Sequence, residues 1–224
     1  MSLFITEDGS HSIYSEQFGV AYHSTHGAIQ ETQHVFIESA LRYFVQQKAV
    51  DKIKILDIGF GTGLNVFMTF LEATNQGLSI DLTTVEAYPL SISTVEQLNY
   101  AELLNVPQYD AVLKQLHTSN WSEKHAISNS FSFQKHLLDF KKLDFKDTFD
   151  IIYYDAFSPE SQPELWESDM LQRMYDALKN GGILTTYCAK GSFKRALKSV
   201  GFQIENIAGP RGKREITRAF KTLT

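Results

Sequence analysis

A single cysteine, Cys188, among 224 residues excludes an internal disulfide and a cysteine-built zinc site. No apolar run approaches the ~18 residues that a membrane helix needs. The opening Met1-Ser2-Leu3-Phe4-Ile5-Thr6-Glu7-Asp8 has neither a basic start nor a long apolar stretch, so no secretory leader is expected and the chain is read as cytoplasmic. Proline is scarce, with five residues, and no Pro/Gly/Ser-rich linker, repeat or low-complexity tract divides the chain. One domain with a small appendage is therefore expected. Gly-Lys-Ser/Thr is missing, which removes a P-loop nucleotide site.

What is present is ordinary globular material, 43% apolar and 21% charged, enough to bury a core without staples. Its charge is unevenly spread. The net is −5, yet residues 181–224 carry nine basic side chains against Glu205 and Glu215, a surplus of seven that leaves residues 1–180 at −12. A basic end on an acidic body suits either a phosphate-facing patch or a solvated helix and hairpin.

Short apolar runs alternate with helical periodicity from residue 53 onward. Strands are expected at 53–58, 80–86, 131–138, 149–155 and 183–188. Helices are expected at 64–75, from Pro89, at 167–178 with Asn180-Gly181-Gly182 as its stop, and at 191–199. Residues 117–130 read as a polar stretch. The last two strands, 202–207 and 215–220, flank Gly209-Pro210-Arg211-Gly212, a connection too short for a crossover helix, so they form an antiparallel pair. Before this, residues 12–24 read as short strands or a hairpin, and 31–47 as a helix. Together these give a mostly parallel, seven-stranded α/β sheet with an antiparallel last strand, whose ligands bind outside the carboxyl ends of the strands.

The chemistry-bearing residues fall at those ends. Gly59, Phe60, Gly61 and Gly63 follow the first core strand. Glycines there let the backbone turn sharply and approach a ligand closely. The Gly-x-Gly-x-Gly register, with Leu64 where a dinucleotide fingerprint wants glycine or alanine, points away from pyrophosphate. Asp57 adds a carboxylate suited to the ammonium of a nucleoside-linked amino acid. Glu86 ends the second strand, where an acid can accept from two ribose hydroxyls. Asp139, after the third strand, suits either an exocyclic adenine amine or a helix cap. Asp155 ends the fourth strand and should emerge on the cleft floor beside the ligand. An apolar wall raises its pKa and a cationic ligand beside it lowers it, and in such a complex it is expected to be ionised. Phe157 and Trp166 suit stacking on a base or a place in the core.

The set of Asp57, the glycines, Glu86 and Asp139 resembles the S-adenosylmethionine site of Rossmann-like methyltransferases. More specifically, Asp155-Ala156-Phe157-Ser158-Pro159 followed by Gln162-Pro163-Glu164-Leu165-Trp166 resembles a signature of the tRNA 5-methylaminomethyl-2-thiouridine methyltransferases, the MnmC methyltransferase domain and its stand-alone MnmD form. Tyr14-Ser15-Glu16-Gln17-Phe18-Gly19, Tyr22-His23-Ser24, Gly27-Ala28 and Glu31-Thr32 agree, as does Gly209-Pro210-Arg211-Gly212-Lys213-Arg214-Glu215.

The resemblance implies a class I methyltransferase domain over residues 51–224 and an N-terminal hairpin-and-helix extension over 1–50. It implies transfer of a methyl group from S-adenosylmethionine to the amine of 5-aminomethyl-2-thiouridine at the wobble position, with S-adenosylhomocysteine as product and with neither metal nor FAD. The tRNA anticodon loop becomes the partner, no membrane is involved, and a separate upstream enzyme supplies the aminomethyl group. Asp155 takes the catalytic role. Gln17 joins the donor contacts. Phe18, Phe157, Ser158, Pro159, Trp166, Arg211, Lys213 and Arg214 become acceptor contacts, with Lys190, Lys194 and Arg195 as secondary phosphate candidates. Two other readings compete: a small-molecule amine transferase resembling the spermidine synthases, and a non-catalytic nucleoside- or RNA-binding module.

Overall fold

The structure, a computed structural model, describes residues 1–222, so Leu223 and Thr224 of the expected 51–224 domain lie outside the described residues. Five strands form its parallel centre: β4 (Ile53–Ile58), β5 (Ile80–Glu86), β7 (Phe131–Leu137), β8 (Phe149–Tyr154) and β9 (Leu178–Thr186). The two central strands, β4 and β8, are buried along nearly their whole length because both faces of the sheet are covered there. Ile151 and Tyr153 face one core and Ile152 and Tyr154 the other, the period of two that a pleated strand imposes.

On the first face lies one continuous helix over residues 28–47, made of α1 (Ala28–Thr32), a π-helical segment Gln33–Arg42 and α2 (Tyr43–Gln47). Beside it lies α3 (Leu64–Gln76), and Phe36, Leu41, Phe67 and Phe70 fill the space beneath. On the other face α7 (Ser168–Ala177) and α8 (Gly191–Ser199) bury Leu171, Met174, Phe193 and Leu197.

Among the described residues the main sheet has eight strands, not seven, in the order β10 (Gln203–Ala208), β11 (Glu215–Phe220), β9, β8, β4, β5, β7 and β6 (Lys124–Ala126). The extra one, β6 (Lys124–Ala126), comes from the stretch read as polar. It is a short edge strand antiparallel to β7, half-exposed, and so lacks an apolar signature. At the opposite edge β10 (Gln203–Ala208) and β11 (Glu215–Phe220) form the expected antiparallel pair, and β11 also runs antiparallel to β9.

Three helix boundaries differ from expectation, the first being the start of the 28–47 helix at Ala28 rather than at Glu31. Helix α4 (Ile92–Val95) starts after Ser91, whose hydroxyl accepts from the Thr94 N–H, rather than at Pro89. It is followed by α5 (Tyr100–Leu103) and α6 (Asp110–Thr118). Helix α7 ends at Ala177, and Asn180-Gly181-Gly182 lies inside β9. There pairing of Phe149 with Leu178 extends the strand backwards, and Gly181, at φ 74°, takes up an irregular register.

The N-terminal strands β1 (Ser2–Ile5), β2 (His11–Ser15) and β3 (Val20–Ala21) make a separate antiparallel sheet. Its Ile13 belongs to the same core as α3. Strand order reverses at β4, which has β5 on one side and β8 on the other, so the crevice at the end of β4 is the expected ligand position. Among the described residues, no helix is long and apolar enough to cross a membrane.

Candidate active site

A cavity of about 300 Å³ opens at the carboxyl ends of β4, β5 and β8. Its floor is the turn after β4. Gly59 adopts φ 98°, and a Cβ there would stand 2.8 Å from the Asp155 carbonyl, so only glycine lets this turn lie against the end of β8. Gly63, at φ 75°, starts α3, and its missing side chain leaves room for Phe60 and His117. Phe60 is buried against His117, with ring centres 4.5 Å apart, and borders the cavity.

Glu86 leaves β5 beside this turn. Its two oxygens accept from the Gly61 N–H at 2.9 Å and the Tyr88 N–H at 2.7 Å. Burial raises its pKa, while backbone bonds from Gly61, Tyr88 and Ala87 oppose the rise. Asp57 lies one layer deeper and is fully buried. It accepts from Thr84 Oγ1 at 2.7 Å and Asn65 Nδ2 at 3.4 Å, and burial pushes its pKa up to about 7. Its place is under the turn rather than in the cavity wall.

Asp155 stands in the wall, half-buried, where the apolar run of β8 ends. Asn65, two residues into α3, donates to Asp155 Oδ2 at 2.8 Å as well as to Asp57, and its own carbonyl accepts from Thr32 Oγ1 at 3.0 Å. That amide is thereby fixed from three sides and ties the catalytic candidate to the turn. In the free chain, burial and then the neighbouring Glu31 carboxylate push Asp155 up to about 8, against the Asn65 hydrogen bond and Lys213.

Aromatic side chains close the mouth. The ring centre of Phe18, from the β2–β3 connection, lies 5.1 Å from that of Tyr88 and 4.8 Å from that of Phe157, and the Tyr22 ring centre lies 4.9 Å from that of Phe157. Phe157, Ser158, Tyr22 and Tyr88 line the cavity. Trp166 is core: it packs on Tyr154 and Phe193, and its Nε1 donates to the Phe157 carbonyl at 2.8 Å, which steadies that loop. Pro159 is half-buried outside the lining and Gln17 is exposed. Asp139 caps the turn Phe140–Lys142 by accepting from the Lys141 N–H at 3.0 Å. It borders a second depression that shares Tyr88, Phe140 and Gln162 with the main cavity.

The basic C-terminal stretch is mostly neutralised internally. Lys190 pairs with Glu160, Lys194 with Glu215, Arg211 with Glu7, Arg218 with Glu205 and Lys221 with Asp147. Lys213 does not face outward. Its ammonium lies in the cavity on Glu31, 4.1 Å from the Tyr187 ring centre. Arg195, Lys198 and Arg214 are exposed and outside the ion pairs found among the described residues.

In the sequence, Tyr22 belongs to the run from Tyr14 that suits a cover over the cofactor or the base, while His23, Glu31, Asn65 and Tyr187 have no assigned role. His23 Nε2 meets Thr62 Oγ1 at 2.8 Å, and burial lowers its pKa to about 4, which keeps it neutral. The signal for Tyr22, His23 and Glu31 was their place in the N-terminal motif. Asn65 follows the third glycine by two residues, which alone gives no role.

A family model described as S-adenosyl-L-methionine-dependent methyltransferase matches residues 105–222. The chain is 32% identical over 222 residues to the tRNA 5-methylaminomethyl-2-thiouridine biosynthesis bifunctional protein MnmC of Actinobacillus pleuropneumoniae serotype 5b (strain L20), covering 90% of this chain and 32% of that protein. It thus spans about a third of the length of the curated relatives it matches. The crystal structure of MnmC2 from Aquifex aeolicus superposes with a TM-score of 0.75 at 27% identity, over 97% of this chain and 69% of that one. Spermidine synthase from Thermotoga maritima has a TM-score of 0.59 at 15% identity, over 100% of this chain and 73% of that one, a likeness of fold alone.

Proposed function

This chain belongs to the S-adenosyl-L-methionine-dependent methyltransferases, and from that premise we propose that it methylates the primary amine of 5-aminomethyl-2-thiouridine at the wobble position of tRNA. One observation carries the reading. Asp155 enters the same cavity that Glu86 and the glycine turn form, so an acid able to steer a nitrogen stands beside the donor's place. The residues fit that donor. Gly59 and Gly61 line the cavity, packed so closely on the Asp155 carbonyl and the Tyr22 ring that Cβ atoms would collide, and Glu86 is oriented by two N–H groups with lone pairs left for ribose hydroxyls.

Bound S-adenosylmethionine supplies a methyl group on a cationic sulfur, and that bond breaks with its electron pair on sulfur as the acceptor nitrogen forms the new one. Asp155 accepts a hydrogen bond from the amine and aims its lone pair, which is chiefly positioning. The acceptor must first lose a proton. At a lysine-like pKa of ~10.4 this would cost roughly 4–5 kcal/mol at neutral pH, and the electron-poor ring and the nearby sulfonium reduce it. Asp155 or water takes that proton. Asp57 and Asn65 hold the turn and the acid in fixed relation. Gln17, Phe18, Phe157 and Ser158 meet the donor or the base at the mouth. Asp139 serves the adenine from the adjoining depression. Arg211 and Arg214 meet anticodon-loop phosphates, and oxidoreductase chemistry outside residues 1–224 supplies the aminomethyl group.

Mass spectrometry of nucleosides from tRNA carrying 5-aminomethyluridine, after incubation with the protein and isotope-labelled S-adenosylmethionine, tests the proposal. Label in 5-methylaminomethyluridine is expected. Label only in a free small amine would replace this reading with the amine-transferase one.

A further inference from the structure

Lys213 presents a problem of charge. It belongs to the turn between β10 and β11, flanked by exposed Arg211 and Arg214, where a cation would serve phosphate. Instead it reaches into the cavity. There it meets the Glu31 carboxylate and the face of Tyr187, and its charge is felt by Asp155. Glu31 is itself buried, and its second oxygen accepts from the Ser24 N–H at 2.9 Å. Tyr187 is held by donating to the Ala156 carbonyl at 2.8 Å, next to Asp155 in sequence. A carboxylate and an aromatic face fixed by the backbone form a cage for a primary ammonium, and the ammonium now in it belongs to the protein.

We propose that this Glu31–Tyr187 cage receives the aminomethyl group of the acceptor, with Lys213 as an internal placeholder that the substrate displaces. The inference rests on the function proposed above. It adds a binding role for Glu31 and an exchange role for Lys213. A lysine and an aminomethyl substituent carry the same terminal group, a protonated primary amine on a methylene. Exchange of one ammonium for another keeps Glu31 paired while the acceptor binds, so the buried carboxylate is not stranded at that step. Released Lys213 joins Arg211 and Arg214 on the outer turn, where it gains a phosphate partner only if the acceptor is a polynucleotide. A free nucleoside must therefore evict Lys213 without compensation, whereas tRNA offers it a new site. This predicts preference for tRNA over the isolated nucleoside.

Calorimetric titration of the full chain with 5-aminomethyluridine, and with uncharged 5-hydroxymethyluridine, tests it in wild type, Lys213→Met and Glu31→Gln, all in the presence of S-adenosylhomocysteine. Lys213→Met should tighten binding of the aminomethyl nucleoside about fivefold, and Glu31→Gln should weaken it about tenfold, while the hydroxymethyl nucleoside moves less than about twofold in either variant. Unfolding midpoints verify that both variants fold. Should Lys213→Met leave the aminomethyl affinity unchanged, or move both nucleosides alike, the cage is wrong even if tRNA methylation proceeds. If the nucleosides behave as expected but wild type fails to methylate aminomethyl tRNA, the cage stands and the proposed reaction falls.

Discussion

Glu86 and Glu31 are both buried acids on one cavity, yet they are held in opposite ways. Neutral backbone N–H groups orient Glu86 and leave its charge for a ligand. A lysine cation neutralises Glu31. An acid anchored by dipoles is a permanent fixture, while one anchored by a mobile class of side chain is exchangeable. On the proposed reading, the Glu86 end is the preorganised donor end, and the Glu31 end is the acceptor end, charge-balanced by Lys213 until substrate replaces it. Asp155 stands on the border between them.

The largest effect should come at that border. Asp155→Ala is expected to reduce turnover by about 10²–10⁴-fold while S-adenosylmethionine affinity stays within several-fold, measured by single-turnover kinetics and calorimetry. Near-wild-type turnover would remove the acid from the chemistry and with it the distinction between the two ends. Gly59→Ala should be next. Its Cβ would meet the Asp155 carbonyl at 2.8 Å in a backbone of φ 98°. A loss of about 2 kcal/mol of stability and weaker donor binding are expected together, because the turn and the end of β8 must separate. Glu86→Gln sharpens the contrast directly. Donor affinity should fall about tenfold with acceptor affinity unchanged, the mirror of Glu31→Gln.

The two ends also differ in how well the sequence announces them. The proposed donor end is built from residues that follow strands, so period and position suffice to bring Gly59, Gly61, Glu86 and Asp155 to one cavity. The acceptor end joins Tyr22 and Glu31 to Lys213 across most of the chain, and no local pattern encodes that meeting. The C-terminal surplus of charge is likewise only partly legible. It is visible as composition, but its partners Glu7, Glu160 and Asp147 lie far away in sequence. Trp166 and Phe157 belong to one motif, yet the fold sends the first to the core and the second to the cavity. β6 went unread because an edge strand needs no apolar alternation.

Protonation offers a further break. In the free protein Asp155 titrates near 8 and Asp57 near 7, both raised above the ordinary 3.8 by burial first. The folded chain therefore holds protons that the unfolded chain has released, so stability declines as pH rises from about 4 to about 8. A cationic donor favours the ionised acids. Its binding near pH 7 should release up to about one proton, seen as a heat that depends on the buffer's ionisation enthalpy, and affinity should rise by less than tenfold per pH unit. Asp155→Asn should remove most of that release. A release that persists in this variant would assign it to Asp57, beneath the donor end.

The smallest expected effect concerns the link between the ends. Asn65 donates to Asp155 and Asp57 at once, and both bonds favour the charged carboxylates. Asn65→Ala removes these donors without adding charge. Asp155 should then ionise at higher pH, so the acidic limb of the rate profile moves upward while the plateau rate falls only a few-fold. Loss of packing alone would lower the rate equally at every pH and leave the limb in place. If the limb does not move, Asp155 takes its position from the Gly59 contact and β8 alone, and the two ends of the cavity are coupled through the backbone rather than through this side chain.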